Sequence, residues 1–92
     1  MPTRHFIIQG RVQGVGFRYF VKSTAVRLGL TGWVRNLPGG EVECQATGAT
    51  EKLAELENRL REGPPMSHVT NLHKEDFNIN PDPEIRDFRI TY

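Results

Sequence analysis

The spacing of apolar side chains divides the first third of the chain into a strand and a helix. From residue 5 to residue 12, apolar and polar side chains alternate, which predicts a first strand with one apolar face. Glycines at positions 14 and 16 then interrupt the pattern. From residue 17 to about residue 28, apolar side chains recur every three or four positions, which predicts a first helix. Gly29 is placed where a glycine commonly ends a helix.

The next stretch predicts a hairpin. Residues 31–37 and 41–47 read as the second and third strands, joined by a tight Leu-Pro-Gly-Gly turn. The third strand alternates most cleanly, with Val42, Cys44 and Ala46 on one face and polar side chains on the other. We therefore expect one face of the hairpin to be buried and the other to be in water.

A second helix follows the hairpin. Thr50 is expected to be its N-cap, because a threonine side chain can accept a hydrogen bond from a free N–H group of the first turn. Leu53, Leu56 and Leu60 form the apolar stripe of this helix. The sequence Gly-Pro-Pro, which begins at residue 63, ends it.

The last third of the chain predicts two more strands. Residues 69 to about 79 form a less regular apolar pattern, residues 80–83 read as a loop, and Phe88, Ile90 and Tyr92 alternate in a short final strand. The order is therefore β-α-β-β-α-β with an extra C-terminal strand. This order predicts an α+β sandwich of ferredoxin-like type, with a mainly antiparallel sheet and both helices on one face.

Composition limits the classes of function. The 92 residues fit one domain, 1–92, which looks free-standing because the chain ends just after its last strand. The net charge of +1 argues against a general nucleic-acid binder. Cys44 is the only cysteine, so we expect no internal disulfide and a cytoplasmic setting. No signal peptide or membrane-length apolar run is visible, and no long apolar surface stripe is left over, so we expect a monomer without membrane contact.

The glycine loop between the first strand and the first helix is the leading candidate for a binding site. Gly14 and Gly16 allow positive φ angles, and the following helix start offers unpaired N–H groups and a partial positive charge. Such a place suits an anion of the size of phosphate. Arg18 lies in the first helical turn, where a cation is repelled by the helix dipole, which indicates that it serves a bound anion.

Asn36 is the second candidate. The predicted topology runs strands one and two in the same direction, so the end of strand two lies at the same sheet edge as the glycine loop. An amide there can hold a water molecule, while Arg18 can grip two phosphate oxygens in a fork. The local sequence alone favours other roles for these residues. Asn36 is typical of a residue that starts a hairpin turn, and the two glycines are typical of a tight turn. Most arginines, like Arg18, are simply exposed at the surface.

Two separate motifs carry a resemblance to a known family. Residues 10–20, Gly-Arg-Val-Gln-Gly-Val-Gly-Phe-Arg-Tyr-Phe, resemble the first signature of the acylphosphatase family. Residues 32–36, Gly-Trp-Val-Arg-Asn, and residues 40–43, Gly-Glu-Val-Glu, resemble the second. Shorter similarities extend the resemblance over essentially the whole chain. The resemblance implies hydrolysis of the carboxyl–phosphate bond of an acyl phosphate to a carboxylate and inorganic phosphate.

The resemblance also implies roles for particular residues. Arg18 binds the phosphoryl oxygens, and Asn36 orients the attacking water. The phosphate loop, which contributes mainly backbone N–H groups, falls on Gln13, Gly14, Val15, Gly16, Phe17 and Arg18. No metal and no cofactor are implied, and the phosphate of the substrate helps to deprotonate the water. Inorganic phosphate, the product, is expected to inhibit competitively because it occupies the same loop.

Three alternatives are weighed against this interpretation. A nucleotide-binding enzyme is disfavoured by two motifs. The loop ends Gly-Phe-Arg, whereas a P-loop ends Gly-Lys-Ser or Gly-Lys-Thr. The dinucleotide-binding pattern needs a third glycine at position 19, which is Tyr19. An RNA-recognition module would place basic and aromatic residues on strand three, which instead reads Glu-Val-Glu-Cys-Gln. The serious alternative is a non-catalytic or accessory domain that binds carbamoyl phosphate or phosphate. Similar domains occur at the N-terminus of a large hydrogenase-maturation carbamoyltransferase.

The remaining chemically active side chains are assigned structural roles. Cys44 shares its face with apolar residues and is expected to be a small core residue. The three histidines show no metal-ligand spacing, so no metal site is predicted. Trp33 is expected to pack rather than to stack on a ligand.

Overall fold

A computed structural model describes residues 2–77 and 86–92 and confirms the predicted order of elements. The strands are β1 (Thr3–Arg11), β2 (Thr31–Asn36), β3 (Val42–Thr47), β4 (His68–Phe77) and β5 (Phe88–Ile90), and the helices are α1 (Phe17–Arg27) and α2 (Thr50–Glu62). The sheet order is β4-β1-β3-β2-β5. Strand β3 pairs antiparallel with both β1 and β2, which therefore run in the same direction, and β5 pairs parallel with β2. Within the described residues, no helix is long and apolar enough to cross a membrane.

The core lies between one face of the sheet and the two helices, which is the predicted ferredoxin-like arrangement. Alternate residues of the strands are fully buried, among them Phe6 and Ile8 of β1, and Val42, Cys44 and Ala46 of β3. The helices bury stripes with spacings of three and four: Phe17, Val21, Thr24 and Ala25 in α1, and Leu53, Leu56, Glu57 and Leu60 in α2. Burying one large apolar side chain contributes about 1.5–3 kcal/mol, so this layer supplies much of the stability. The predicted core position of Cys44 is confirmed.

Strand β4 contains a bulge that explains its irregular apolar pattern. The pairing register between β1 and β4 shifts between Gln9 and Gly10. One residue of β4 is left out of the ladder there, so the alternation of its side chains shifts by one position. Val69 and Leu72, although three residues apart, consequently both pack against the core. The predicted end of this strand and the predicted loop at residues 80–83 lie outside the described residues.

The prediction that Thr50 caps the second helix is wrong by one residue. The N-cap of α2 is Ala49, whose extended backbone places its carbonyl to accept hydrogen bonds from the N–H groups of Lys52 and Leu53, both at 3.0 Å. Thr50 is the first helical residue. The backbone immediately before the helix is held by a hydrogen bond from the Gly48 N–H to the Pro2 carbonyl, at 3.2 Å. This bond fixes where the chain enters the helix.

Candidate functional site

The glycine loop and the end of β2 meet at one pocket, as expected from the strand directions. A cavity of about 190 Å³ is lined by Gly14, Gly16, Phe17, Arg18, Tyr19, Asn36, Ile90 and Tyr92. Arg18 projects from the first turn of α1, and Asn36 is the last residue of β2. The fold therefore brings the two candidate side chains to the same cavity.

The glycine loop and the start of α1 leave backbone N–H groups unpaired within the helix, next to this cavity. Gly14 and Gly16 have φ angles of 74° and 77°. A Cβ atom at either position would meet nothing within 4 Å, so the glycines are needed for their backbone conformation and not for space. The first hydrogen bond of α1 runs from Phe20 N–H to the Gly16 carbonyl at 3.0 Å. The N–H groups of the three preceding helical residues thus have no acceptor within the helix.

Arg18 adds a positive charge that the described part of the chain leaves uncompensated. Its guanidinium carbon lies 4.9 Å from the centre of the Tyr92 ring. Among the described carboxylates none forms an ion pair with Arg18, and the first turn of α1 contains no acidic residue. The guanidinium and the N-terminal end of the helix therefore act together on the pocket, which favours an anion there.

The amide oxygen of Asn36 is buried beside the pocket. Its Oδ1 atom is buried and has no hydrogen bond to any described residue. The hairpin is closed by backbone bonds, from Leu37 N–H to the Glu41 carbonyl at 2.8 Å and from Gly40 N–H to the Leu37 carbonyl at 3.1 Å. The Asn36 side chain thus takes no part in closing the turn. A buried polar atom without a partner costs about 1–3 kcal/mol, so its presence beside a pocket indicates a partner that comes from solution.

Two residues of the predicted phosphate loop direct their side chains elsewhere. The amide of Gln13 donates from Nε2 to the Leu37 carbonyl at 2.7 Å and to the Glu41 carbonyl at 2.9 Å. Val15 packs against the core. The other four members of the predicted loop line the cavity: Gly14, Gly16, Phe17 and Arg18. Gln13 instead links the loop to the hairpin that carries Asn36.

Sequence reasoning missed the apolar side of the pocket. Tyr19, Ile90 and Tyr92 line the cavity together with the predicted residues. A signal for two of them is present, because Ile90 and Tyr92 follow the buried Phe88 at intervals of two residues and so share its face of an extended chain. The pocket consequently has a polar half, at the loop and Asn36, and an apolar rim formed by Tyr19, Ile90 and Tyr92.

The described lining of the pocket offers no side-chain base. None of its side chains is a carboxylate, an imidazole or a thiol. The Cys44 thiol is fully buried in the core, where burial, and secondarily the neighbouring carboxylate of Glu43, raises its pKa. His5 pairs with Glu43, Nε2 to Oε2 at 2.8 Å, and packs edge-on against the half-buried ring of Trp33, with ring centres 6.3 Å apart. In the part of the chain that the structure describes, no group of three or more His, Cys, Asp or Glu side chains is placed to hold a metal ion.

The chain matches the sequence pattern of a known protein family. The family model described as Acylphosphatase matches residues 4–90. The acylphosphatase of Koribacter versatilis (strain Ellin345) is 49% identical over 88 residues, which cover 96% of this chain and 78% of that protein. The crystal structure of acylphosphatase from Bacillus subtilis superposes with a TM-score of 0.93 at 37% identity and covers all of both chains.

A larger protein also contains a similar domain. The crystal structure of HypF from T. kodakarensis matches with a TM-score of 0.84 and 31% identity over all of this chain, but the match spans 12% of HypF. The similarities that span most of both proteins are to acylphosphatases, and the accessory-domain alternative is therefore not favoured. The two predicted signature motifs, the fold and these relatives agree, and the chain belongs to the acylphosphatase family.

Proposed function

We propose that the pocket between the glycine loop and Asn36 is where this member of the acylphosphatase family hydrolyses the carboxyl–phosphate bond. The observation that carries the proposal is that one cavity brings together the Arg18 guanidinium and the buried Asn36 amide oxygen, neither of which has an ion-pair or hydrogen-bond partner among the described residues. The guanidinium of Arg18 binds two phosphoryl oxygens in a fork. The N–H groups at the glycine loop and the helix start bind the phosphoryl group from the other side.

Asn36 positions the attacking water in this proposal. Its amide oxygen accepts a hydrogen bond from the water, which satisfies the buried Oδ1 atom and directs a lone pair of the water toward phosphorus. An acyl phosphate is already an activated anhydride, so orientation and charge stabilisation supply most of the rate enhancement that the enzyme needs.

The proton of the water goes to the substrate. The oxygen of the water forms a bond to phosphorus while the bond between phosphorus and the acyl oxygen breaks, and the carboxylate leaves. Since the described lining of the pocket supplies no base, we assign the released proton to a phosphoryl oxygen of the substrate. The developing negative charge is stabilised by Arg18 and the N–H groups, and we propose that the reaction uses neither a metal nor a cofactor.

Several properties of the whole protein belong to the same proposal. We propose one domain, 1–92, that acts in the cytoplasm as a monomer on a small acyl phosphate, without nucleic acid or membrane partners. The single buried cysteine supports a reducing compartment, and the net charge of +1 gives no electrostatic drive toward polyanions. Inorganic phosphate, the product, competes for the same loop.

Hydrolysis of benzoyl phosphate by the purified chain, with and without a metal chelator, tests the proposal. We expect rapid turnover that is insensitive to the chelator and is inhibited competitively by inorganic phosphate. A folded protein that binds phosphate without turnover would instead support the accessory role. Turnover that disappears with the chelator would contradict metal independence, and purely noncompetitive inhibition would contradict a shared phosphate site.

A further inference from the structure

The apolar rim of the pocket contains an unusual share of the exposed apolar surface. Among the described residues the exposed large hydrophobic side chains are Tyr19, Val26, Met66 and Tyr92. Two of these four, Tyr19 at 73% exposure and Tyr92 at 97%, line the same cavity as Arg18 and Asn36. Single exposed apolar residues are ordinary on a protein surface, but two aromatic rings gathered at a polar pocket indicate contact with a ligand.

Both rings are attached to parts of the site that are held in place. Tyr19 follows Arg18 in the first turn of α1. Tyr92 lies beside the Arg18 guanidinium, 4.9 Å from ring centre to guanidinium carbon, and its neighbour Thr91 donates a backbone N–H to the Val34 carbonyl of β2 at 2.8 Å. A cation beside an aromatic ring is attracted to its face, so the ring of Tyr92 is oriented by the same side chain that we assign to the phosphoryl group.

The polar half and the apolar rim together match an amphipathic substrate. If the phosphoryl group occupies the loop beside Arg18 and the attacking water lies at Asn36, the lining left for the acyl group is Tyr19, Ile90 and Tyr92. The described rim has no acidic side chain and no basic side chain besides Arg18, so its side chains give a charged acyl group no specific partner. Flat apolar groups, in contrast, can pack against the tyrosine rings.

We infer that Tyr19, Ile90 and Tyr92 form an acyl subsite that selects acyl phosphates with an aromatic or extended apolar acyl group. This inference rests on the function proposed above and adds the substrate class to it. The tyrosines act as specificity-determining residues, because they contact the acyl group and not the phosphoryl group. Aromatic contacts of this kind are worth about tenfold in specificity for each ring.

Paired substrates test the inference. kcat/KM is measured for benzoyl phosphate and for acetyl phosphate in the wild type, Tyr19→Ala and Tyr92→Ala. Each variant is expected to lower the ratio of kcat/KM for benzoyl phosphate to kcat/KM for acetyl phosphate about tenfold. Tyr92→Phe keeps the ring and should keep the preference. Met66→Ala, which removes an exposed apolar side chain outside this pocket, should change neither substrate.

The outcomes separate this inference from the proposed function. Turnover of both substrates with an unchanged benzoyl-to-acetyl ratio in both alanine variants would overturn the acyl subsite and leave the phosphatase proposal intact. An equal loss for both substrates in Tyr19→Ala would also overturn it, because that ring would then serve the phosphoryl group. A folded wild-type protein that hydrolyses neither substrate would overturn the proposed function, and the inference with it.

Discussion

The side chain of Gln13 is hydrogen-bonded to the backbone of Leu37: Nε2 donates to the Leu37 carbonyl at 2.7 Å and, at 2.9 Å, to the carbonyl of Glu41. Leu37 follows Asn36 directly, whereas Gln13 begins the glycine loop. One amide therefore joins the element that offers N–H groups to an anion with the element that carries the proposed water-positioning residue. The relative placement of the two halves of the pocket depends on this link.

Replacing Gln13 should therefore damage catalysis more than folding. Gln13→Ala removes both hydrogen bonds, which should lower the free energy of unfolding by about 1–3 kcal/mol. Loosening the loop against the hairpin should lower kcat by up to about 10²-fold, because small misplacements of reacting groups are costly. Benzoyl phosphate kinetics and urea unfolding measure the two effects. Gln9→Ala is the matched control, since Gln9 is exposed and its side chain bonds only to Asn71 among the described residues. Wild-type kcat in Gln13→Ala would contradict the link.

Arg18 should be irreplaceable by lysine. A lysine supplies a point charge but not two parallel donors, so we expect Arg18→Lys and Arg18→Ala each to lower kcat/KM by at least about 10²–10³ and to abolish competitive inhibition by phosphate. Circular dichroism should show an unchanged fold. Arg27→Lys provides the control, because Arg27 is exposed at the other end of the same helix. Near-normal kinetics in Arg18→Lys would rule out the bidentate role.

Glu57 of α2 pairs with three cations, two of which, Arg4 and Lys74, lie on the sheet. Its Oε1 accepts from Arg4 Nη1 at 3.3 Å and from Lys74 Nζ at 3.1 Å, and its Oε2 accepts from Arg61 Nη2 at 3.0 Å. Burial alone would raise the pKa of this carboxyl, but hydrogen bonds from Arg61 and Lys74 outweigh burial and hold the pKa below its ordinary value of 4.5. A carboxylate with a depressed pKa stabilises the folded state above its ordinary pKa, and this contribution is lost as pH falls through the folded-state pKa.

The Glu57 network should consequently make stability pH-dependent. At pH 7, Glu57→Gln is expected to lower the free energy of unfolding by about 1–2 kcal/mol, because charged hydrogen bonds are lost at a site where the cations are partly screened by water. Once the pH is below the folded-state pKa, wild-type Glu57 is itself neutral and the difference should shrink. Urea unfolding at pH 7 and in acid measures both values. Glu62→Gln, an exposed glutamate of the same helix, is the control. The same loss at both pH values would contradict this origin.

Most of the fold could be predicted because burial alternates regularly in the strands. Phe6 and Ile8 of β1 and the three buried apolar residues of β3 follow a period of two, which strongly favours one register. Strand β4 was also predicted, but its bulge opposite Gly10 was not, since a bulge depends on the pairing with the partner strand. The start of α2 was misplaced because the backbone path through Gly48, and not the capping chemistry of Thr50, determines it.

The sequence predicts those parts of the site whose positions follow from the topology of the sheet. Strand direction alone puts Asn36 at the same edge as Arg18, and the cavity contains both. The bond from Gln13 to Leu37 could not be predicted, because it depends on how closely the hairpin turn approaches the loop. The apolar rim was missed for a similar reason: the direction of the Tyr19 side chain depends on the rotation of α1 about its axis.

Asn36 has one proposed role, which is to position the attacking water, and the variant Asn36→Ala tests this role. Asn36→Ala removes a buried oxygen that has no partner among the described residues, so the free energy of unfolding should not fall. Phosphate should still bind at Arg18 and the loop, whereas kcat for benzoyl phosphate should drop by at least about 10²–10³. Measuring kcat and the inhibition constant of inorganic phosphate on the same preparation separates the two roles. Loss of kcat with unchanged phosphate inhibition is the predicted result, and wild-type kcat in the folded variant would contradict the account.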